Sequence, residues 1–138
     1  MKKKSIYLLG ISIFMLSLQS CQKVYTIEDL FNIPGCTGPC YQKMKCEGME
    51  VTVEQLLNDR NILRAGRKVF IRSEEAEKSI SVEFAENIPD EVVEKIEKNK
   101  GKTLRVRGVI EGFDLLNPDF CQRSHVIFVQ DEKDVSFY

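Results

Sequence analysis

From Gly48 onward, apolar residues fall first at every second position, then at helical spacing, then at every second position again. Glu50-Val51-Thr52-Val53-Glu54 alternates strictly, which predicts a strand with Val51 and Val53 on one face. Thr52-x-x-Gln55 ahead of Leu56-Leu57 also fits a helix capping box, but β-branched residues sharing a face favour the strand. Asn58 to Gly66 predicts a polar loop. Arg67 to Arg72, with Val69-Phe70-Ile71 inside it, predicts a second strand. Ser73 to Lys78, which holds Glu74, Glu75 and Glu77, predicts a charged, solvated turn. Ser79 to Phe84 alternates again, with Ile80, Val82 and Phe84 on one face.

The period then changes. Pro89-Asp90-Glu91 places proline and acids where the first turn of a helix favours them. Val92, Val93 and Ile96 form one apolar stripe, and Asn99 to Gly101 stops the helix. Lys102 to Gly112 predicts a long strand with Leu104, Val106, Gly108 and Ile110 on one face. Phe113 to Ser124, with Asn117-Pro118, predicts a loop. His125 to Gln130 and Val135 to Phe137 predict either one bent strand or a hairpin. The fold class is therefore mainly β with one helix, in the order β-β-β-α-β-β.

The N-terminus reads differently. Lys2, Lys3 and Lys4 precede an apolar run from Ile6 to Leu18. A membrane-spanning helix needs about 20 residues, so this run fits a secretory signal instead. Leu18-Gln19-Ser20-Cys21 follows, and it resembles the lipobox of bacterial lipoproteins, with Gln19 replacing the usual small residue. The resemblance implies a signal peptide over 1–20, cleavage before Cys21, and fatty acylation of Cys21. It implies a lipid-anchored protein of the bacterial cell envelope. Gln22 is not the aspartate that retains enterobacterial lipoproteins at the inner membrane, which favours the outer membrane. Two or three acyl chains would make the attachment lasting, where one chain is marginal.

Composition changes the picture little. Of 138 residues, 43% are hydrophobic and 30% charged, which suits a globular body. Of 20 basic residues, 17 remain once the three N-terminal lysines are removed, against 21 acidic ones. A mildly acidic chain has no general attraction for nucleic acid or anionic lipid.

Export decides the chemistry of the remaining cysteines: Cys36, Cys40, Cys46 and Cys121. An even number outside the cytoplasm predicts two disulfides, with three connectivities open. Cys121 pairs with one of the clustered three and closes a loop of 75 to 85 residues. The other two close a small loop over Gly38-Pro39 or over Tyr41 to Lys45. Structural zinc is disfavoured because the paired C-x₂-C knuckles are absent, and a redox dithiol because Pro39 and its glycine neighbours predict a turn. Residues 21–47 are expected to form a lipidated tether with one helical turn begun at Thr26-Ile27-Glu28-Asp29.

"EGMEVTVEQLL…GRKVFIRSEEAEKSISVEF" resembles the first three strands of an OB-fold of the tRNA-anticodon-binding type, and "GKTLRVRGVIEG" its fourth. The resemblance implies a five-stranded barrel over 48–138, with Gly108 and Gly112 permitting its sharp bends. It also implies a ligand face on strands two and three, for which the candidates are Arg60, Arg64, Arg67, Phe70 and Arg72. Phe70 equally suits the core. A second basic set, Lys95, Lys98, Lys100, Lys102, Arg105 and Arg107, reads as a solvated face. His125, the only histidine, reads as structural, and Met44 and Met49 as packing. No nucleophile, phosphate loop or paired-carboxylate motif points to catalysis. The expectation is thus a non-enzymatic binding or scaffolding domain with no cofactor and no metal. Its partners would be a membrane, through the anchor, and a protein, glycan or small ligand. Thiol-redox or metal handling through the four cysteines is the alternative, followed by oligonucleotide binding, with nucleic acid not expected at this address.

Overall fold

The computed structural model describes residues 22–75 and 78–138. Eight strands form a single curled sheet: β1 (Val24–Tyr25), β2 (Glu50–Leu56), β3 (Ile62–Ala65), β4 (Lys68–Arg72), β5 (Ser79–Phe84), β6 (Thr103–Asn117), β7 (Phe120–Val129) and β8 (Val135–Phe137). Two α-helices accompany them, α1 (Ile27–Phe31) and the longer α2 (Asp90–Lys98). The sheet runs β1-β2-β6-β7-β5-β4-β3. Neighbours are antiparallel, except that β1 lies parallel to β2 and β5 parallel to β7.

Each element follows from its residues. Val51, Val53, Val69, Ile71, Ile80 and Val82 alternate inward, and all are buried. In α2, Val92, Val93 and Ile96 form the buried stripe, with Asp90 and Glu91 in the first turn and Lys95 and Lys98 in the last. These side chains join Leu104, Val106, Ile110, Ile127 and Val129 in one core. Burying each is worth about 1.5–3 kcal/mol relative to exposure.

The expected mainly-β body with one principal helix is present, but a closed five-stranded barrel is not. The sheet is a half-barrel. β1 occupies the outer edge of β2, through the pairs Val24–Thr52 and Tyr25–Val53, where closure would need β3. β3 itself lies in the stretch expected to be a polar loop. A turn at Gly66-Arg67, with Gly66 at a φ of 64°, folds it back on β4 in a short hairpin. β8 is not a hairpin partner of β7. Both lie along β6, and the 3₁₀ turn Glu132–Asp134 interrupts them.

A second correction concerns 113–124, which is a ladder and not a loop. β6 and β7 stay paired out to Asn117–Phe120 around a two-residue turn, Pro118-Asp119. We call this distal half of the hairpin the arm. Glycine serves the β6–β7 hairpin at two close approaches. A Cβ on Gly108 would meet the Phe128 carbonyl at 2.5 Å, and one on Gly112 would meet Arg123 Nε at 2.5 Å.

Residues 24–46, expected as a tether, pack against the sheet. Thr26 caps α1: its hydroxyl accepts from the Asp29 amide at 3.1 Å, and the Asp29 carboxylate accepts from the Thr26 amide at 3.2 Å. Ile27 and Leu30 are fully buried, and Cys36, Met44 and Cys46 share the same core. Cys21 and Glu77 lie outside the described residues.

Candidate functional site

The loop from Asn58 to Asn61 is built by its own side chains. The Asn58 Oδ1 accepts from the Arg60 amide at 2.8 Å, and the buried Asn61 donates to the Leu56 carbonyl at 2.7 Å. This fixed loop presents Arg60 beside β3 and β4. On β4, Val69 and Ile71 take the core face, so Phe70 and Arg72 point outward. Phe70 pairs with Leu63 across the ladder, and Leu63 is 66% exposed. Arg60, Ile62, Leu63, Phe70, Arg72 and Ser79 line an open groove of about 510 Å³.

Three of the five expected ligand-face residues therefore meet: Arg60, Phe70 and Arg72. The other two do not. Arg64 pairs with Glu97 of α2 at 2.9 Å and donates to the Gly66 carbonyl at 2.9 Å. Arg67 pairs with Asp90 and donates to the carbonyls of Ala85 and Ile88, each at 2.8 Å. Both fasten α2 to the hairpin. Ion pairs among the described residues engage Arg64, Arg67, Arg105, Arg107 and Arg123, but neither Arg60 nor Arg72. Two guanidinium groups without a carboxylate among the described residues thus flank an apolar strip of Phe70 and Leu63, suited to an anion that carries an apolar part. Leu63 was not legible as a site residue, since a leucine in a presumed loop gives no face.

The second basic set is largely neutralised. Lys98 pairs with Glu94 at 3.9 Å and Lys100 with Asp59 at 3.1 Å; Arg105 pairs with Glu54 and Arg107 with Glu50.

The cysteines form two disulfides, as expected, with the connectivity Cys36–Cys46 and Cys40–Cys121. The first closes a loop of sequence separation 10 that encloses both Gly38-Pro39 and Tyr41 to Lys45; the second spans a separation of 81. Cys40 lies inside the small loop, so the second bridge bolts that loop to the arm. An ionic cluster reinforces the bolt. Arg123 on β7 reaches Glu47 at 2.7 Å and Asp114 at 3.2 Å. Burial works against ionising Glu47, but hydrogen bonds from Arg123 and from the Met44 and Gly112 amides prevail and lower its pKa. Arg123 is held more firmly protonated by Glu47 first and by Asp114 further. Nothing in the sequence joined Glu47, Asp114 and Arg123, because the connection runs across the loop expected at 113–124.

His125 is fully buried on β7. Its Nε2–H donates to the Cys36 carbonyl at 2.6 Å, with Cys36 Sγ at 3.2 Å, and Phe31 packs edge-on with ring centroids 4.3 Å apart. A carbonyl only accepts, so the proton sits on Nε2 and Nδ1 is a bare, buried acceptor without a partner among the described residues. Burial lowers its pKa, opposed by the Cys36 carbonyl and by Glu47. His125 pins the cysteine loop to the sheet. Cys36 Sγ, Cys46 Sγ and the His125 ring lie within 4.8 Å of one another, a set that could hold a metal only with the disulfide reduced. No known protein family matches the chain, and no curated protein matches it.

Proposed function

We propose that this chain is a lipid-anchored protein of a bacterial cell envelope whose OB-like body binds or scaffolds, without catalysis. Five strands, β2, β4, β5, β6 and β7, with α2 between β5 and β6, correspond to the expected β-β-β-α-β-β order. On this reading β1, β3 and β8, of 2, 4 and 3 residues, are additions to the OB-like core. The parallel contact of β5 with β7 returns the chain across the sheet, as a partly open Greek-key barrel requires. Two disulfides agree with an oxidising compartment. Among the described residues no helix is long and apolar enough to cross a membrane; on this reading the attachment is the acylated Cys21.

The observation that carries the binding role is the groove where Arg60 and Arg72, outside the ion pairs of the described residues, flank Phe70 and Leu63. Its ligand class is an anionic group joined to an apolar part, on a protein segment, glycan or small molecule. Nuclear magnetic resonance titration of the full chain tests this, with a Glu/Phe hexapeptide, a uronate oligosaccharide and a thymidine oligomer as probes at about 50 mM salt. The amides of Ile62, Leu63, Phe70 and Arg72 should shift with the peptide or the uronate, and Arg60→Ala with Arg72→Ala should weaken that binding at least about tenfold. Saturation by the thymidine oligomer alone would favour the oligonucleotide reading, and shifts that avoid these residues would end the assignment of the groove.

A further inference from the structure

The arm ends in apolar side chains. Leu115, Leu116 and Phe120 surround the Pro118-Asp119 turn and are 44, 70 and 57% exposed. Leu116 pairs with Cys121 and Leu115 with Gln122, so the two leucines stand on opposite faces of the ribbon. Phe120, opposite Asn117, shares the face of Leu115. Tyr41 adds an exposed ring on the Leu116 side, its amide donating to Asp114 Oδ1 at 3.1 Å. Its cysteine-loop neighbour Cys40 is bonded to Cys121. These groups are thus held out on a braced arm. A flat protein partner covers one side of a ribbon. Apolar groups on both faces and at the end suit a medium that surrounds the tip.

The topology also gives the direction. β6 runs toward the tip, β2 runs away from it, and β1 is parallel to β2. The chain therefore enters β1 from the tip side, and three residue steps, about 10 Å at full stretch, lead from Cys21 to Val24. Beyond the last β2–β6 pair, Glu50–Val109, β6 continues for eight residues toward the turn, about 27 Å of strand. The segment that leads to Cys21 therefore enters the sheet from the side on which the arm projects.

We propose that the arm is a membrane-docking element whose tip, through Leu116 and Phe120, enters the lipid surface on the anchor's side of the body and orients the body on the bilayer. Asp119 in the turn fits the interfacial layer, where a charge costs little, better than the acyl centre. The direction rests on the lipid-anchor reading; the apolar tip does not.

The chain has no tryptophan, so the Phe120→Trp variant carries a single fluorescent reporter at the tip. The Leu56→Trp variant, on the exposed end of β2 away from the tip, is its control. Both substitutions are placed separately in the full lipidated chain on phosphatidylethanolamine/phosphatidylglycerol vesicles. The tip reporter should emit to the blue of its lipid-free position and be quenched by brominated acyl chains, while the body reporter stays accessible to aqueous iodide. In the unanchored Cys21→Ala chain, Leu116→Glu with Phe120→Glu should weaken vesicle binding at least about tenfold. Flotation of the parent against Cys21→Ala reads the anchor separately. A parent that floats while the tip reporter remains iodide-accessible overturns the docking tip and leaves the anchor standing. A parent that floats no better than the Cys21→Ala chain, with the tip reporter still quenched by brominated lipid, keeps the tip and ends the anchor. A blue shift of the tip reporter without lipid, as a sedimenting dimer forms, would assign the tip to a second copy and overturn the proposal.

Discussion

The half-barrel body and the arm are both made from β6 and β7, yet different forces hold them. In the body, Ile110 and Ile127 pair across the ladder with both side chains fully buried, and α2 covers the same core. In the arm, the corresponding pairs are Asp114–Arg123 and Leu116–Cys121, and the apolar members face outward. The body is held by surface withdrawn from water. The arm is held by a disulfide, two carboxylates on one guanidinium, and hydrogen bonds from the cysteine loop. A two-stranded ribbon is marginal on its own in water. The same two strands stay paired beyond the core because other bonds replace burial.

This contrast can be broken most forcefully at Cys40–Cys121. Replacing both cysteines by serine removes a constraint spanning a separation of 81 residues, and stability should fall by about 4.5 kcal/mol in urea unfolding. Hydrogen exchange should show the loss of protection concentrated in 113–123, with β4 and β5 still slow. If both regions lost protection together, the arm and body would be one cooperative unit and the distinction would fail.

Arg123→Met should cost about 3 kcal/mol, because it strands Glu47 and Asp114 in a nearly enclosed site. Thermal unfolding reads the loss. A cost below about 1 kcal/mol would mean that the cluster behaves like an exposed ion pair.

The smallest effect is pH dependence. His125 has a folded pKa below the ordinary 6.5, so the unfolded chain binds the proton first and stability declines as pH falls below that value. Glu47, held below its ordinary 4.5, adds a further decline as pH falls below that value and through its lowered folded pKa. Chemical unfolding from about pH 8 to about pH 3 should show both declines. His125→Gln should remove the upper one, and a flat profile between about pH 7 and 5 would contradict the buried neutral ring.

The body was legible in the sequence because water enforces its pattern. Val51 and Val53, Ile80 and Val82, and the stripe of α2 each betray one buried face, and all took the positions expected of them. The arm was not legible for the converse reason. Phe113 to Asn117 faces solvent on most sides, so no alternation marks it as a strand, and the arm's support comes from residues 40 to 47, through contacts 73 and 76 positions apart in sequence. β3 escaped notice similarly: its burial alternates only between partial and exposed, and its pairing depends on a turn at Gly66. Within the groove, the outward direction of Phe70 followed from its neighbours' inward one, whereas Arg64 and Arg67 were claimed by α2, a tertiary contact that spacing does not reveal.

The edge pairing of β1 also has a mechanical consequence. A pull on the N-terminal segment runs along the strand axis, so the β1–β2 rungs are loaded in shear and not peeled one by one. Should they yield, α1 unwinds next, and the pull then meets Cys36, covalently fixed to Cys46. At most the 14 residues from Gln22 to Gly35, about 50 Å, can be drawn out before a covalent bond takes the load. The cysteine loop thus acts as a stop-knot between leash and body.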